Sequence, residues 1–354
     1  MKIVLTGGGT SGHVTPNIAL LDVLKKHFED IYYIGTEKGV EKSLIEAEGV
    51  PFFTIEAGKL RRYIDIENIK DISRIFKGYK KSVKILKKLK PDVVFSKGGF
   101  VSCPVVWAAH KLKIPVVLHE SDITPGLANK LCLPFASKIC YAFAETEKHL
   151  PEDKRVYTGL PVRKEILEGE RNKGLEMCSF EEGKPTLTIM GGSLGSAFLN
   201  DTVRMNLDSL LKHFNICHLC GKGHIDHSLL NVKGYCQFEY VNKELCHIMA
   251  ATDMLVSRAG ATAIFEIIEL KKPALLIPLS RRVSRGDQID NAKSFANEGL
   301  VEYIEEENLN PSEFTEKVLS LYMSRDEYVK IQSEKTTKDS RNAVLEVILQ
   351  AVKG

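Results

Sequence analysis

The sequence predicts an α/β fold built from two doubly wound parallel-sheet domains, and three observations carry that expectation. Short apolar segments alternate with helix-length segments from end to end, the βαβα rhythm of a parallel sheet with helices on both faces. The rhythm pauses over Glu168–Lys184, a stretch rich in Glu, Lys and Gly, and then restarts. A chain of 354 residues is also longer than one hydrophobic core usually supports.

In the first half, Lys2–Thr6, Asp30–Ile34, Phe52–Glu56, Asp92–Ser96, Val116–His119 and Lys138–Phe143 read as short buried strands. In the second half, Thr186–Met190, Ile216–Leu219, Gln237–Val241, Met254–Ser257 and Ala274–Pro278 form a similar series. Each series opens on a strand that runs into glycines, Leu5–Gly9 and Ile189–Ser193. A last helix is expected over Arg341–Val352, with Asp339 or Ser340 as N-cap. Its stripe Val344, Leu345, Ile348 and Val352 must pack on a core, and periodicity does not say which one.

Charge is unevenly spread. The chain has 49 Lys plus Arg against 46 Asp plus Glu, a formal net charge of +3, which argues against a nucleic-acid binder. Between Gly58 and Lys90, however, twelve basic residues face three acids, a local +9 that leaves −6 for the rest. Within this segment Ile69, Ile72, Phe76, Tyr79, Val83, Leu86 and Leu89 recur at three- and four-residue steps, an apolar helix face flanked by lysines. A break is expected near Gly78. Either the face is core, or one end of it meets an anionic lipid surface.

No apolar run is long enough for a transmembrane helix, and MKIVLTGGG lacks the layout of a signal peptide. Eight dispersed cysteines suit a reducing compartment. Cys217, Cys220, His224 and His227 offer zinc ligand types, but the spacer is far shorter than in a zinc finger and Cys217 lies in a predicted strand, so structural roles are expected.

The first loop, Gly7 to His13, satisfies G-x-G-x-x-G at Gly7, Gly9 and Gly12 between a strand and a helix expected near Pro16. Such glycines let backbone amides approach a phosphate, and a following helix adds its positive end. A dinucleotide reading is weakened by His13 and by the lack of a well-placed acid other than Glu37. A second cradle is expected at Arg258–Thr262, before a helix over Ala263–Leu270, with Glu266 one turn in and within reach of a ribose. Gln288 and Asn291 share a helix face beyond the strand Ala274–Pro278 and suit sugar hydroxyls. His13 and His119 are the titratable candidates near neutral pH.

Seven blocks, GGGTSGHVTP (7–16), PDVVFSKGGFVSCP (91–104), PVVLHESDITPGLANK (115–130), GLPVR (159–163), GGSLGS (191–196), SRAGATAIFE (257–266) and GDQIDNA (286–292), stand in the order found in one family. On these motifs the chain resembles the MurG family of N-acetylglucosaminyltransferases, glycosyltransferase family 28 of the GT-B class. The resemblance implies two Rossmann-like domains facing across a cleft: residues 1–161 with 338–354 for the acceptor and membrane, and 162–337 for UDP-GlcNAc. It implies transfer of GlcNAc, with inversion, to the 4-hydroxyl of MurNAc-(pentapeptide) on undecaprenyl diphosphate (lipid I to lipid II) in peptidoglycan biosynthesis. No cofactor and no metal are implied. The expected partners are UDP-GlcNAc, lipid I and an anionic membrane surface, with the protein peripheral on the cytoplasmic face. A GT-B enzyme acting on another lipid, such as diacylglycerol, is the alternative.

By motif, the resemblance assigns Thr10, Ser11, Gly12, Arg163, Ser193, Val241, Ala261, Thr262, Glu266, Gln288 and Asn291 to UDP-GlcNAc. It leaves Gly9, Gly98, Gly99 and His119 for the acceptor diphosphate, and His13 as the candidate base. Ser11 stands where a glycine is common, Phe100 where Tyr is common, and Asp122 where many members have Asn. Asp122 is therefore left out of the donor set.

Overall fold

The computed structural model describes residues 1–58, 66–192, 195–335 and 339–353, with side chains 66–70 excluded. Ser193 and the basic residues Lys59, Arg61 and Arg62 lie outside the described residues, as do the side chains of Ile69 and Lys70. The chain divides into two compact units, Met1–Arg163 with Lys338–Gly354, and Lys164–Thr337.

The first unit holds a seven-stranded sheet of β1 (Lys2–Thr6), β2 (Asp30–Thr36), β3 (Phe52–Ile55), β4 (Val93–Ser96), β5 (Val116–Glu120), β6 (Lys138–Tyr141) and β7 (Arg155–Tyr157). Its order is β3-β2-β1-β4-β5-β6-β7, and every pairing is parallel. The second unit holds β8 (Thr186–Met190), β9 (Asn215–Leu219), β10 (Tyr235–Phe238), β11 (Met254–Ser257), β12 (Ala274–Leu276) and β13 (Glu302–Tyr303). Its order, β10-β9-β8-β11-β12-β13, is again parallel throughout. In both sheets the strand order reverses at the first strand of the unit, between β1 and β4 in one and between β8 and β11 in the other. In open α/β sheets the crevice beyond the strand ends at this switch point is where ligands bind. The two glycine openings sit at those two places.

The strand cores are continuous apolar runs, as burial on both faces requires. Val93, Val94 and Phe95 of β4 and Val116, Val117 and Leu118 of β5 are all fully buried. Two edge strands escape the sequence pattern, β7 and β13, because three and two residues are too short to alternate visibly. The strand expected over Gln237–Val241 begins two residues earlier, at Tyr235, and ends at Phe238.

The last helix, Ser340–Lys353, belongs to the first unit, where Val344, Leu345, Val347 and Ile348 join the core against β4, β5 and β6. Asp339 is its cap: Oδ1 accepts the amides of Arg341 at 3.0 Å and Asn342 at 3.4 Å. Arg341 also reaches Asp22 at 3.0 Å, tying the helix end to the unit.

The expected break near Gly78 does not occur; Ile66–Leu89 is one continuous helix. A Cβ at Gly78 would stand 1.9 Å from the Glu56 carbonyl oxygen, so the glycine serves close packing against the chain after β3. Its cost in a helix, about 1 kcal/mol relative to Ala, is offset by that contact. Leu86 is buried and Tyr79, Val83 and Leu89 pack on the core, whereas Ile72 and Phe76 are 59% and 56% exposed. The face is therefore core from Tyr79 onward, while Ile72 and Phe76 stand outside it.

Candidate functional site

In the second unit the site grows from two turns at the switch point. After β8 the chain turns at Gly191 and Gly192 and enters the helix Ala197–Met205, which Ser196 caps by accepting the Leu199 amide. Gly195 takes a φ of +75°, and a Cβ there would stand 2.1 Å from the Cys220 carbonyl oxygen, so only glycine brings this turn against the end of β9. Asn200 extends the tie, its Nδ2 donating to the same Cys220 oxygen at 2.9 Å. Beneath it His218 is fully buried, with Nδ1 at 2.8 Å from the Tyr235 hydroxyl and Nε2 at 3.0 Å from Asn200 Oδ1. Burial holds His218 down to about 3, so the imidazole is neutral.

The facing turn follows β11. The helix spans Ala261–Glu269, starting two residues before the expected position, because Gly260 is extended and serves as N-cap. The first bond onto the N-cap carbonyl is Ile264 N to Gly260 O at 3.1 Å. Ala261 and Thr262 thus belong to the first turn, whose amides precede the hydrogen-bond ladder and carry the positive end of the helix dipole. Nothing lies within 4 Å of a Cβ built on Gly260, so the space beside the N-cap is unfilled. Glu266 sits one turn further along, half-buried.

A third segment closes the cradle. Gly286, at φ +87°, opens the helix Asp287–Asn297. Gln288 Oε1 accepts the amides of Ala259 at 3.2 Å and Leu279 at 3.1 Å. With its oxygen committed to backbone, the Gln288 amide group has only donors left to present to a sugar. Asn291 is 1% exposed on the same helix. Val241 lies 9% exposed in a small core with Ile248 and Ala251, beside Leu219 and Phe238. Of the donor residues expected here, Ala261, Thr262, Glu266, Gln288 and Asn291 come from the two helices that start beyond β11 and β12.

The first unit has its own pair of turns. Gly99, at φ +80°, presses on Gly8, where a Cβ would stand 2.2 Å from the Gly8 oxygen. The two glycine turns interlock, and Gly98 is likewise confined by Asn129 Oδ1. Thr10 is exposed, and Ser11, Gly12 and His13 are half-buried in a single 3-10 turn. His13 Nδ1 lies 3.0 Å from Thr10 Oγ1. Arg163 is the last residue of this unit's first segment.

A helix does begin where expected, at Thr15–Ala19, but it has five residues, so its dipole contribution at this loop is small. Two expectations are corrected here. Gly9 is exposed, but its amide donates to Glu41 Oε2 at 3.3 Å and is committed to that carboxylate rather than to a diphosphate. His119 is fully buried with Nε2 at 2.9 Å from the Gly159 oxygen. Burial first, then the charge of Lys97, drives its pKa well below the usual imidazole value. It neither titrates near neutral pH nor fronts a ligand.

Sequence reasoning missed the residues that hold these turns. Glu41, fully buried, accepts the Thr36 amide at 3.0 Å and its hydroxyl at 2.5 Å as well as Gly9. Its only legible signal was the pair Gly35 and Gly39, which make room for the carboxylate. The Tyr33 hydroxyl donates to Gly7 O at 2.8 Å and accepts from Asn17 at 3.1 Å. Lys97, 1% exposed, contacts Ser121 Oγ, and burial lowers its pKa to about 8 against the pull of Glu120. Glu120 in turn accepts the amides of Ser121 at 2.8 Å, Asp122 at 2.9 Å and Gly126 at 3.2 Å.

The cysteine–histidine motif carries no metal geometry. Cys217 and Cys220 are buried and reduced, Cys220 Sγ lies 3.3 Å from the Phe238 oxygen, and among the described residues no group of three or more His, Cys, Asp or Glu is placed to hold a metal ion. No helix among them is long and apolar enough to cross a membrane.

The comparisons agree with the two-domain fold. Residues 3–141 match the model of the glycosyltransferase family 28 N-terminal domain, and residues 186–347 that of its C-terminal domain. A Clostridium botulinum (strain Alaska E43 / Type E3) protein is 53% identical over 352 residues, 99% of this chain and 98% of the relative. A Clostridium tetani (strain Massachusetts / E88) protein is 50% identical over 347 residues, 98% and 97% of the two chains. Both are named UDP-N-acetylglucosamine–N-acetylmuramyl-(pentapeptide) pyrophosphoryl-undecaprenol N-acetylglucosamine transferase. The crystal structure of Acinetobacter baumannii MurG superposes with a TM-score of 0.76 at 24% identity, covering 99% of each chain, a likeness of fold.

Proposed function

The chain belongs to glycosyltransferase family 28, and from that premise we propose how its residues transfer N-acetylglucosamine from UDP-GlcNAc to the MurNAc-(pentapeptide) of a pyrophosphoryl-undecaprenol acceptor. The activity is the one its full-length relatives are named for. The observation that carries the residue-level reading is the second-unit cradle. A helix N-terminus at Ala261 and Thr262, an acid one turn on and a donor-bearing Gln288 surround one switch point.

In this reading the UDP diphosphate lies on the amides of Ala261 and Thr262, the ribose hydroxyls on the Glu266 carboxylate, and the sugar against Gln288 and Asn291. Ser193 and the Val241 backbone complete the nucleotide contacts within the second unit, and Arg163, Thr10, Ser11 and Gly12 are assigned to UDP-GlcNAc by motif alone. The acceptor 4-hydroxyl attacks C1 of GlcNAc as the bond from C1 to the phosphate oxygen breaks, which inverts that carbon. The electron pair leaves with UDP, whose growing charge the helix amides stabilise. The hydroxyl proton goes to His13 Nε2. That requires the tautomer in which Nδ1–H donates to Thr10 Oγ1, the contact seen at 3.0 Å.

Gly98 and Gly99 remain the acceptor-diphosphate candidates of the first unit. An acceptor panel tests the substrate class: turnover is expected with a diphosphate-linked MurNAc-pentapeptide lipid and not with diacylglycerol, and the reverse preference would overturn the assignment.

The protein sits on an anionic, cytoplasmic-face membrane surface in this reading. Supporting it, Ile72 and Phe76 are exposed on a helix whose Lys77, Lys80, Lys81, Lys84, Lys87 and Lys88 are exposed too. The Lys80 ammonium lies 4.5 Å from the Phe76 ring centroid, keeping charge and aromatic surface together. Each basic side chain near such a surface contributes about 1 kcal/mol. Neutralising Lys80, Lys81, Lys84, Lys87 and Lys88 together should abolish sedimentation with anionic vesicles while leaving turnover on a soluble acceptor within a few-fold. Undiminished vesicle binding would remove the membrane assignment.

A further inference from the structure

Arg258 stands between β11 and the helix Ala261–Glu269 and is absent from every nucleotide contact assigned above. Its side chain is 7% exposed. Nη1 donates to the carbonyl oxygens of Ile277 at 3.0 Å and Pro278 at 3.1 Å, and pairs with Glu306 Oε2 at 2.6 Å. Nη2 donates to Ser196 Oγ at 2.6 Å. One guanidinium therefore joins the turn after β8, the turn after β11 and the segment after β12, the three pieces of chain that make the cradle. These pieces are 62 and 19 residues away from it in sequence. Gln288 bridges two of the same three through the amides of Ala259 and Leu279.

A buried charge is costly to keep unless it is paired and hydrogen-bonded, and here both terminal nitrogens have partners while Nε has none among the described residues. A core that needed only packing would be served as well by an apolar side chain. What the guanidinium adds is a rigid fork of donors with fixed directions, set here to hold a hydroxyl and two carbonyls at once. Ser196 is also the cap of the helix Ala197–Met205, since the same Oγ accepts the Leu199 amide at 3.3 Å. Displacing Arg258 would shift that helix start relative to the Ala261 amides.

We propose that Arg258 is a positioning residue for the nucleotide diphosphate: it fixes the spacing between the turn ending at Ser196 and the first turn of the helix Ala261–Glu269, so that both face one ligand. The inference rests on the donor-site reading above. Its consequence is specific to the nucleotide, because Ser196, Ile277, Pro278 and Glu306, the partners of the fork, all belong to the second unit.

The test is UDP binding by calorimetry to the full chain, with donor and acceptor KM measured separately, in Arg258→Lys. That variant keeps the charge and loses the fork. The expected result is at least a ten-fold rise in UDP Kd, a parallel rise in UDP-GlcNAc KM, and an acceptor KM within two-fold of wild type. A lowered Tm with unchanged UDP Kd would reduce Arg258 to a stability role and overturn the proposal. Should Arg258→Lys not fold, Ser196→Ala cuts only the arm to the β8 turn and should raise UDP Kd about three-fold; an unchanged Kd there also overturns it. Wild-type protein that binds no UDP would instead sink the donor-site reading itself, which separates the two failures.

Discussion

Gln288 offers a substitution whose effects on stability and on substrate can be pulled apart. Its Oε1 is the acceptor for two partly buried amides, those of Ala259 and Leu279. Gln288→Met keeps the volume and removes the acceptor, leaving both amides without that partner. At about 1 kcal/mol each, the low end for partly buried groups, the loss is about 2 kcal/mol. For a unit of this size that corresponds to a Tm decrease of about 4–8 °C. Gln288→Glu keeps an acceptor in the same place, so thermal unfolding should remain within about 2 °C of wild type. It deletes the donors toward the sugar and sets a carboxylate near a diphosphate, so UDP-GlcNAc KM should rise at least ten-fold, about 1.4 kcal/mol. Calorimetric unfolding and steady-state kinetics on the two variants decide the matter. Equal Tm losses in both, or a wild-type KM in Gln288→Glu, would refute the division of labour between its oxygen and its amide nitrogen.

Three other outcomes follow from the same geometry. Glu266→Ala should raise UDP-GlcNAc KM by about 10- to 100-fold, the worth of a charged hydrogen bond at about 1.5–3 kcal/mol, with a smaller change in kcat; an unaltered KM would remove Glu266 from the ribose. His13→Gln should lower kcat at least 100-fold at unchanged UDP Kd, the usual contribution of a general base, and a wild-type kcat would exclude it. Lys97 has a folded pKa of about 8 against 10.5 when unperturbed, so between those values the unfolded chain holds the proton that the folded chain has released. Stability from this group therefore rises with pH through that window, by about 3 kcal/mol in all. Wild type should gain on Lys97→Met by that order between pH 8 and 10.5 in denaturant unfolding, and a constant gap would contradict the burial argument.

Much of the architecture was legible because parallel strands buried on both faces are apolar throughout and because glycines mark the turns after β1, β4 and β8. What escaped was what depends on distance in the chain. Nothing local shows that Glu41 would fill the space made by Gly35 and Gly39, or that Arg258 would find Glu306 and Ser196. His119 read as a titratable candidate because a histidine at a strand end does not reveal the carbonyl of Gly159, forty residues on, that covers it. Gly78 read as a helix break because its packing partner, the Glu56 carbonyl, belongs to another element.

The central claim is that the second-unit cradle delivers GlcNAc to a diphosphate-linked lipid. Incubating the protein with UDP-GlcNAc and a lipid I analogue, and following UDP release together with the mass and anomeric configuration of the lipid product, tests it most directly. One UDP should be released for each GlcNAc gained by the lipid, joined through an inverted β linkage. Folded protein that binds UDP yet leaves the lipid unchanged, or that releases UDP without glycosylating it, would contradict the account.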